Sequence, residues 1–142
     1  MASITDRLNN LLVRERGIVE SVLALAREIE STDPDIAESA GDVLETAEWA
    51  CQGLYHVIVR LGGTVSLETA DVADKLADQP DLESKLELLC AEQKHGAAIV
   101  KGLLNDKDID NDTRDFLNAL LRAYKETDQW CVGTLADWVV ER

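Results

Sequence analysis

Apolar residues recur three and four positions apart over four long stretches of this chain, and the strict alternation of a strand is almost nowhere present. The pattern predicts an all-α protein. In the first stretch Leu8, Leu11, Leu12, Ile18, Val19, Val22, Ala26 and Ile29 share one helix face. This helix is expected from about Ser3, an N-cap with Asp6 three residues on, to about Glu30; Ser31, Thr32 and Asp33 then stop it, and Pro34 suits the first turn of the next. The second stretch carries Ile36, Ala40, Val43, Leu44, Ala47, Ala50, Cys51, Leu54, Val57 and Leu61 inward, and Gly62 and Gly63 end it. The third begins near Pro80, turns Leu82, Leu86, Leu89, Gly96, Val100 and Leu103 inward, and ends around Asn105. Asn105, Asp106, Asp108, Asp110, Asn111 and Asp112 form a turn-rich loop. The fourth stretch places Phe116, Leu117, Leu120, Leu121, Tyr124, Cys131, Leu135 and Trp138 inward nearly to the C-terminus.

Short loops join the first helix to the second and the third to the fourth, so each pair is expected to be an antiparallel hairpin. The middle connection, residues 62–79, is too long for a tight turn. Leu67, Val72 and Leu76, with Ser66 as a cap, predict a short helix within this crossover. With 142 residues the chain is expected to form a single helical-bundle domain.

One residue breaks the first apolar stripe. Glu15 lies on the face defined by Leu8, Leu11, Leu12, Ile18 and Val22, so it is expected to point into the protein. A buried carboxylate needs a cation, a metal or a hydrogen-bond network beside it, since otherwise it takes up a proton or destabilises the fold by several kcal/mol. If the first hairpin reverses near residue 32 or 33, Glu15 stands level with Ala50 and Cys51.

Charge narrows the partners. The formal net charge is −14, from 28 acidic and 14 basic residues, which opposes binding to nucleic acid or to an anionic membrane surface. The opening residues MASITDRLNN lack the apolar run of a signal peptide, and no stretch approaches the length of a membrane span, so a cytoplasmic protein is expected. The acidity also fits an adaptation to salt. Cys51, Cys90 and Cys131 are odd in number and have no CxxC spacing, which points to reduced core thiols rather than a disulfide framework or a zinc ribbon.

The run Leu8, Asn9, Asn10, Leu11, Leu12, Val13, Arg14, Glu15, the Leu61–Gly62–Gly63 exit followed by Ser66, and the long crossover between two hairpins together resemble the ferritin-like superfamily, in particular its bacterioferritin-like and rubrerythrin-like bundles. The resemblance implies a ferritin-like four-helix bundle with an iron site at its centre, in which Glu15 is a ligand, Glu92 stands where the family has a bridging glutamate, and Glu126 stands where it has Glu-x-x-His. This chain departs from that pattern. Ala47 and Ala50 fall where the second helix should supply glutamate and histidine, and Gln129 replaces the histidine of the fourth helix. His95 forms a Glu-x-x-His with Glu92 on the third helix, which makes Glu15, Glu92, His95 and Glu126 the candidate metal ligands, with iron as the implied cofactor or none at all. His56 is expected on the outside near Trp49, Gln52 and Val59, and Asp128 either near the inner face or on a half-exposed flank.

Two readings follow for the carboxylates. They belong to a metal-free polar core in which Arg14, Arg16, Tyr124, Gln93 or Gln129 satisfies Glu15, and the protein is a non-catalytic binding or interaction protein with a largely dismantled di-iron site; or they hold iron for oxidase or iron-handling chemistry. Cys51 beside Glu15 and Cys90 beside Glu126 add a soft site for zinc or copper as an alternative. The volume freed at Ala47 and Ala50 adds another, a small apolar ligand. Trp49, Tyr55 and Val59 on the outer face of the second helix, with Trp130 and Val139 from the fourth, predict a partner surface, and a homodimer through the second helix is the simplest occupant.

Overall fold

Residues 3–140 of the computed structural model are described here, except for the side chains of 138–140, so the expectations for Trp138 and Val139 lie outside the described residues. The chain folds as helices α1 (Ile4–Ile29), α2 (Pro34–Arg60), α3 (Val72–Ala77), α4 (Leu82–Leu104) and α5 (Asn111–Val140), with no strand among the described residues. The local signals act where the sequence puts them. The Ser3 hydroxyl accepts from the Asp6 N–H while the Asp6 carboxylate accepts from the Ser3 N–H, a complete capping box. The Asp33 side chain accepts from the Ile36 N–H with Pro34 in the first turn of α2, and Asp81 caps α4 through the Ser84 N–H. At the end of α2, Gly62 takes φ of +79°, a left-handed conformation that reverses the chain at little cost only in glycine.

Helices α1 and α2 pack as one hairpin and α4 and α5 as the other. Between hairpins, α1 meets α4 through Arg14–Glu92 and Glu28–Lys85 and the loop beyond α4 through Arg7–Asp106, and α2 meets α5 through Ser39–Trp130 and Trp49–Phe116 and the residue before α5 through Arg60–Asp110. Numbers fall on one helix as they rise on the other, so both pairs are antiparallel and α2 and α4 point the same way. Among the described residues α1 and α5 share no packed face, nor do α2 and α4, so these pairs stand on the diagonals of the bundle.

Because α2 and α4 run in one direction, their connection must travel back along the bundle, and it does so against α1. The Asn9 side chain donates to the Thr64 carbonyl and accepts from the Ser66 N–H, both at 2.8 Å. Arg16 donates to the carbonyls of Ser66 at 2.6 Å and Glu68 at 2.9 Å, and the Ala70 N–H reaches the Val13 carbonyl at 3.0 Å. Gly17 permits this approach, since a Cβ there would lie 2.9 Å from the Ala70 carbonyl oxygen. The strap differs from the sequence expectation in one respect. With these backbone groups tied to α1 the strap forms no helix through Ala70, so the short helix starts at Val72, Ser66 does not cap it, and Leu67 is 95% exposed. Val72 and Leu76 are buried as expected.

The apolar core lies in two separate blocks. One holds Ile18, Val22, Leu25 and Ile29 of α1 with Ala40 and Val43 of α2, Leu86 and Leu89 of α4 and Cys131 of α5. The other holds Leu8, Leu11 and Leu12 with Leu54 and Ile58, Val100 and Leu103, and Leu117 and Leu120. Glu15 and Gln93, both buried, fall between the two blocks. Asn9→Ala removes both side-chain bonds to the strap and is expected to cost about 1–3 kcal/mol, read as a lower urea midpoint with an unchanged slope.

Candidate functional site

The layer between the two apolar blocks is built around Glu15, which is 3% exposed. Its Oε1 accepts a short hydrogen bond from the Tyr124 hydroxyl, reaching from α1 across the bundle axis to the diagonal helix α5. Two long side chains span that diagonal because the other diagonal is lined by small residues. A Cβ on Gly96 of α4 would lie 3.0 Å from the Tyr124 ring, and Ala47 and Ala50 of α2 face the same space. The two alanines thus clear room beside the carboxylate.

Burial dominates the electrostatics here. It raises the Glu15 carboxyl from its ordinary 4.5 to about 7, with the Tyr124 hydrogen bond and the neighbouring Arg14 charge pulling the other way. Burial and the Glu15 charge likewise push the Tyr124 phenol well above its usual value, so it remains a donor. Cys51, level with Glu15 as the hairpin register predicts, is pushed up to about 11 by burial and by Glu15.

Each remaining candidate goes to a different place. Glu92 accepts a 2.6 Å hydrogen-bonded ion pair from Arg14 on the partly buried α1–α4 seam. His95, one turn along α4, is exposed, as is His56 on α2. Glu126 is exposed and lines the groove between α2 and α5 with Asp42, Ser39 and Trp130 rather than meeting Glu92. Among the described residues no three His, Cys, Asp or Glu side chains come together in a group able to hold a metal, so Glu15, Glu92, His95 and Glu126 are not gathered at one point. The physical reason for Glu126 is helix phase: two residues beyond Tyr124 it lies about 200° around α5, so it faces outward when Tyr124 faces the centre.

The cysteines follow the same logic. Cys90 faces Cys131 across α4 and α5, where the Cys131 thiol donates to the Cys90 sulfur, drawing Cys90 down and, with burial, pushing Cys131 up. Cys90 therefore does not stand beside Glu126, and the soft site is not assembled. Asp128 is half-exposed with its Oδ1 buried and unbonded near this thiol pair.

The volume expected at Ala47 and Ala50 is present as a small hollow beside Glu15, but its size and polar lining differ from that expectation. It is lined by Glu15, Tyr124, Gln93, Thr46 and Thr127 among apolar neighbours including Ala47 and Ala50, and has about 10 Å³ of space for a water-sized sphere. That is room for one small polar group, not for an apolar ligand. The signal was in the sequence, since Gln93 shares the inward face of Leu86, Leu89, Gly96 and Val100. Searches of protein-family models, curated proteins and solved structures found no match to this chain.

Two pH-dependent outcomes follow. Below about pH 4.5 Glu15 is protonated in both folded and unfolded chains and its contribution to stability is fully present; that contribution is lost as the pH rises through about 7. The loss amounts to about 3 kcal/mol. Glu15→Gln keeps an acceptor for Tyr124 but cannot ionise, so it is expected to gain on the parent protein as pH rises, by roughly that amount between about pH 5 and about pH 8 in urea titrations. Tyr124→Phe removes the donor and is expected to cost about 1–3 kcal/mol and move the Glu15 titration further up, read from the same curves.

Proposed function

We propose that this protein is a non-catalytic binding or interaction protein on a ferritin-like scaffold, its ancestral di-metal site replaced by a hydrogen-bonded polar layer. Two hairpins with parallel α2 and α4, joined by a long crossover, are the arrangement that the ferritin-like reading calls for. The observation that carries the functional reading is the dispersal of the carboxylates: Glu15 is bonded to a phenol, Glu92 to a guanidinium, and Glu126 faces the outside. A carboxylate that already has a hydrogen-bonded partner must give it up before ligating iron, and Ala47 and Ala50 offer no donors in exchange.

The partner we propose is a second copy of the chain, docked through the outer face of α2. There Trp49, Tyr55 and Val59 are 40%, 48% and 51% exposed and follow the helical repeat with Gln52 between them. A two-fold antiparallel pairing of α2 about Gln52 sets Trp49 level with Tyr55 of the second copy and Glu48 level with its His56, so apolar meets apolar and acid meets base. Leu23, Val132 and Leu67 are exposed too, but each stands away from this run.

The test of the first reading is titration of the purified apoprotein with ferrous iron under anaerobic conditions, followed by air. No stoichiometric heat and no oxygen uptake above buffer are expected; about two irons per chain, lost in Glu15→Gln, would restore the iron-oxidase reading. For the partner, sedimentation at tens of micromolar is expected to show a dimer that Trp49→Glu converts to monomer. A monomeric parent protein would remove the α2 interface.

A further inference from the structure

The small hollow beside Glu15 does not end at the bundle centre. Val43, Thr46 and Thr127 wall both it and a second hollow of about 170 Å³ that opens between α2 and α5, so the two are adjoining compartments. The outer one is lined further by Ser39, Asp42, Glu126 and Trp130. Trp130 is fixed there, since its Nε1 donates to the Ser39 hydroxyl at 2.8 Å. The outer hollow, between two carboxylates and beside an indole, is thus separated from a third carboxylate in the core by the side chains of Val43, Thr46 and Thr127.

The polar groups lining the inner hollow have capacity to spare. Gln93 is 3% exposed and Thr127 is 7% exposed, and neither side chain makes a hydrogen bond to protein among the described residues. A buried carboxamide and hydroxyl turned to a shared hollow are expected to be satisfied by something that enters it. Glu15 has a second oxygen beyond the one bonded to Tyr124. The inner hollow is therefore lined by three groups able to accept, a carboxylate, a carboxamide whose oxygen can turn inward and a hydroxyl, around a space about the size of one water.

We propose that the α2–α5 groove binds a short aliphatic diammonium ion, one ammonium in the inner hollow against Glu15, Gln93 and Thr127 and the other between Asp42 and Glu126. An ammonium has three donors, no acceptor and nearly the size of water, which matches the inner compartment. The methylene stem would lie between Val43 and Thr46, whose side chains would part to admit it, and beside Trp130, where apolar contact and the ring favour an alkylammonium over a hydrated inorganic ion. A divalent metal fits less well, because the inner hollow supplies a single carboxylate and weak neutral oxygens. No bond is made or broken on binding.

This assignment deepens the binding-protein reading and rests on it, but the two fail separately. Calorimetry at about 0.15 M salt, where exposed charges are screened, would use putrescine as the probe with n-butylamine, n-butanol and magnesium chloride as controls. The expected result is saturable one-to-one binding of putrescine, weaker binding of n-butylamine, and none of n-butanol or magnesium. Thr127→Val and Glu15→Gln, which are expected to remain folded, should each weaken putrescine at least tenfold, as should the outer double variant Asp42→Asn with Glu126→Gln. Absence of saturable binding overturns the proposal, as does putrescine binding that magnesium matches and Glu15→Gln leaves unchanged, which would be counterion attraction to an acidic surface. In either case an iron titration that stays blank leaves the non-catalytic reading standing, whereas stoichiometric iron at Glu15 removes both.

Discussion

A single carboxyl group at the centre of a four-helix bundle sets the terms for everything packed around it. Glu15 cannot be left without a donor, and its one direct side-chain partner among the described residues reaches it along the longest line the cross-section offers, the diagonal from α1 to α5. Tyr124 is long enough to close that distance, but only if the two helices on the other diagonal withdraw. Gly96 on α4 and Ala47 and Ala50 on α2 do so. The price is a core divided into an upper and a lower apolar block, each contiguous within itself. A bundle that slid by one helical turn, about 5.4 Å, would bring Glu15 against leucines and Tyr124 against side chains that do not yield, so the polar layer acts as a register mark for the packing of one hairpin on the other.

The nearby cations could have neutralised Glu15, yet neither flanking arginine is free to. Arg14 is held by Glu92 on α4, where it contributes only a distant favourable charge to Glu15. Arg16 is used on the crossover carbonyls. Both leave α1 on flanks of the helix, one toward α4 and the other toward the strap, while Glu15 between them points inward. The charge balance of the centre is therefore decided by helix phase. A residue one position either side of a core position is about 100° away around the helix and serves another interface.

Much of this was legible in the residues. The capping signals at Ser3, Asp33 and Gly62, the apolar faces of the long helices, the burial of Glu15 and its level with Ala50 and Cys51 all follow from local chemistry and from one short loop that fixes the register of a hairpin. What failed were inferences spanning the crossover. Nothing local says how far α4 and α5 slide along α1 and α2, so the level at which Tyr124 meets Glu15 is set by tertiary packing, whereas helix phase, about 200° over two residues, keeps Glu126 outside. Leu67 misled for a related reason. A Ser66 cap ahead of it suggested a helix, but Asn9 and Arg16, more than fifty residues earlier, supply the hydrogen bonds that hold the strap against α1 without a helix. Tyr124 and Gln93 were both legible as members of a metal-free polar core around Glu15, and both are buried there, Tyr124 bonded to the carboxylate and Gln93 lining the hollow beside it.

The strap itself carries a consequence for how copies of this chain can associate. Hairpin bundles with long connections are candidates for domain swapping, in which the second hairpin of one molecule completes the first hairpin of another. Here the connection is bound to its own α1 at Thr64, Ser66, Glu68 and Ala70, and α3 then buries Val72 and Leu76. Only the turn between α3 and α4, around Gln79 and Pro80, is left to act as a hinge. The swap would have to open there, at the far end of the strap, or else strip the strap from α1 altogether. The molecule is thereby kept intramolecularly closed by a segment that contributes little to its core.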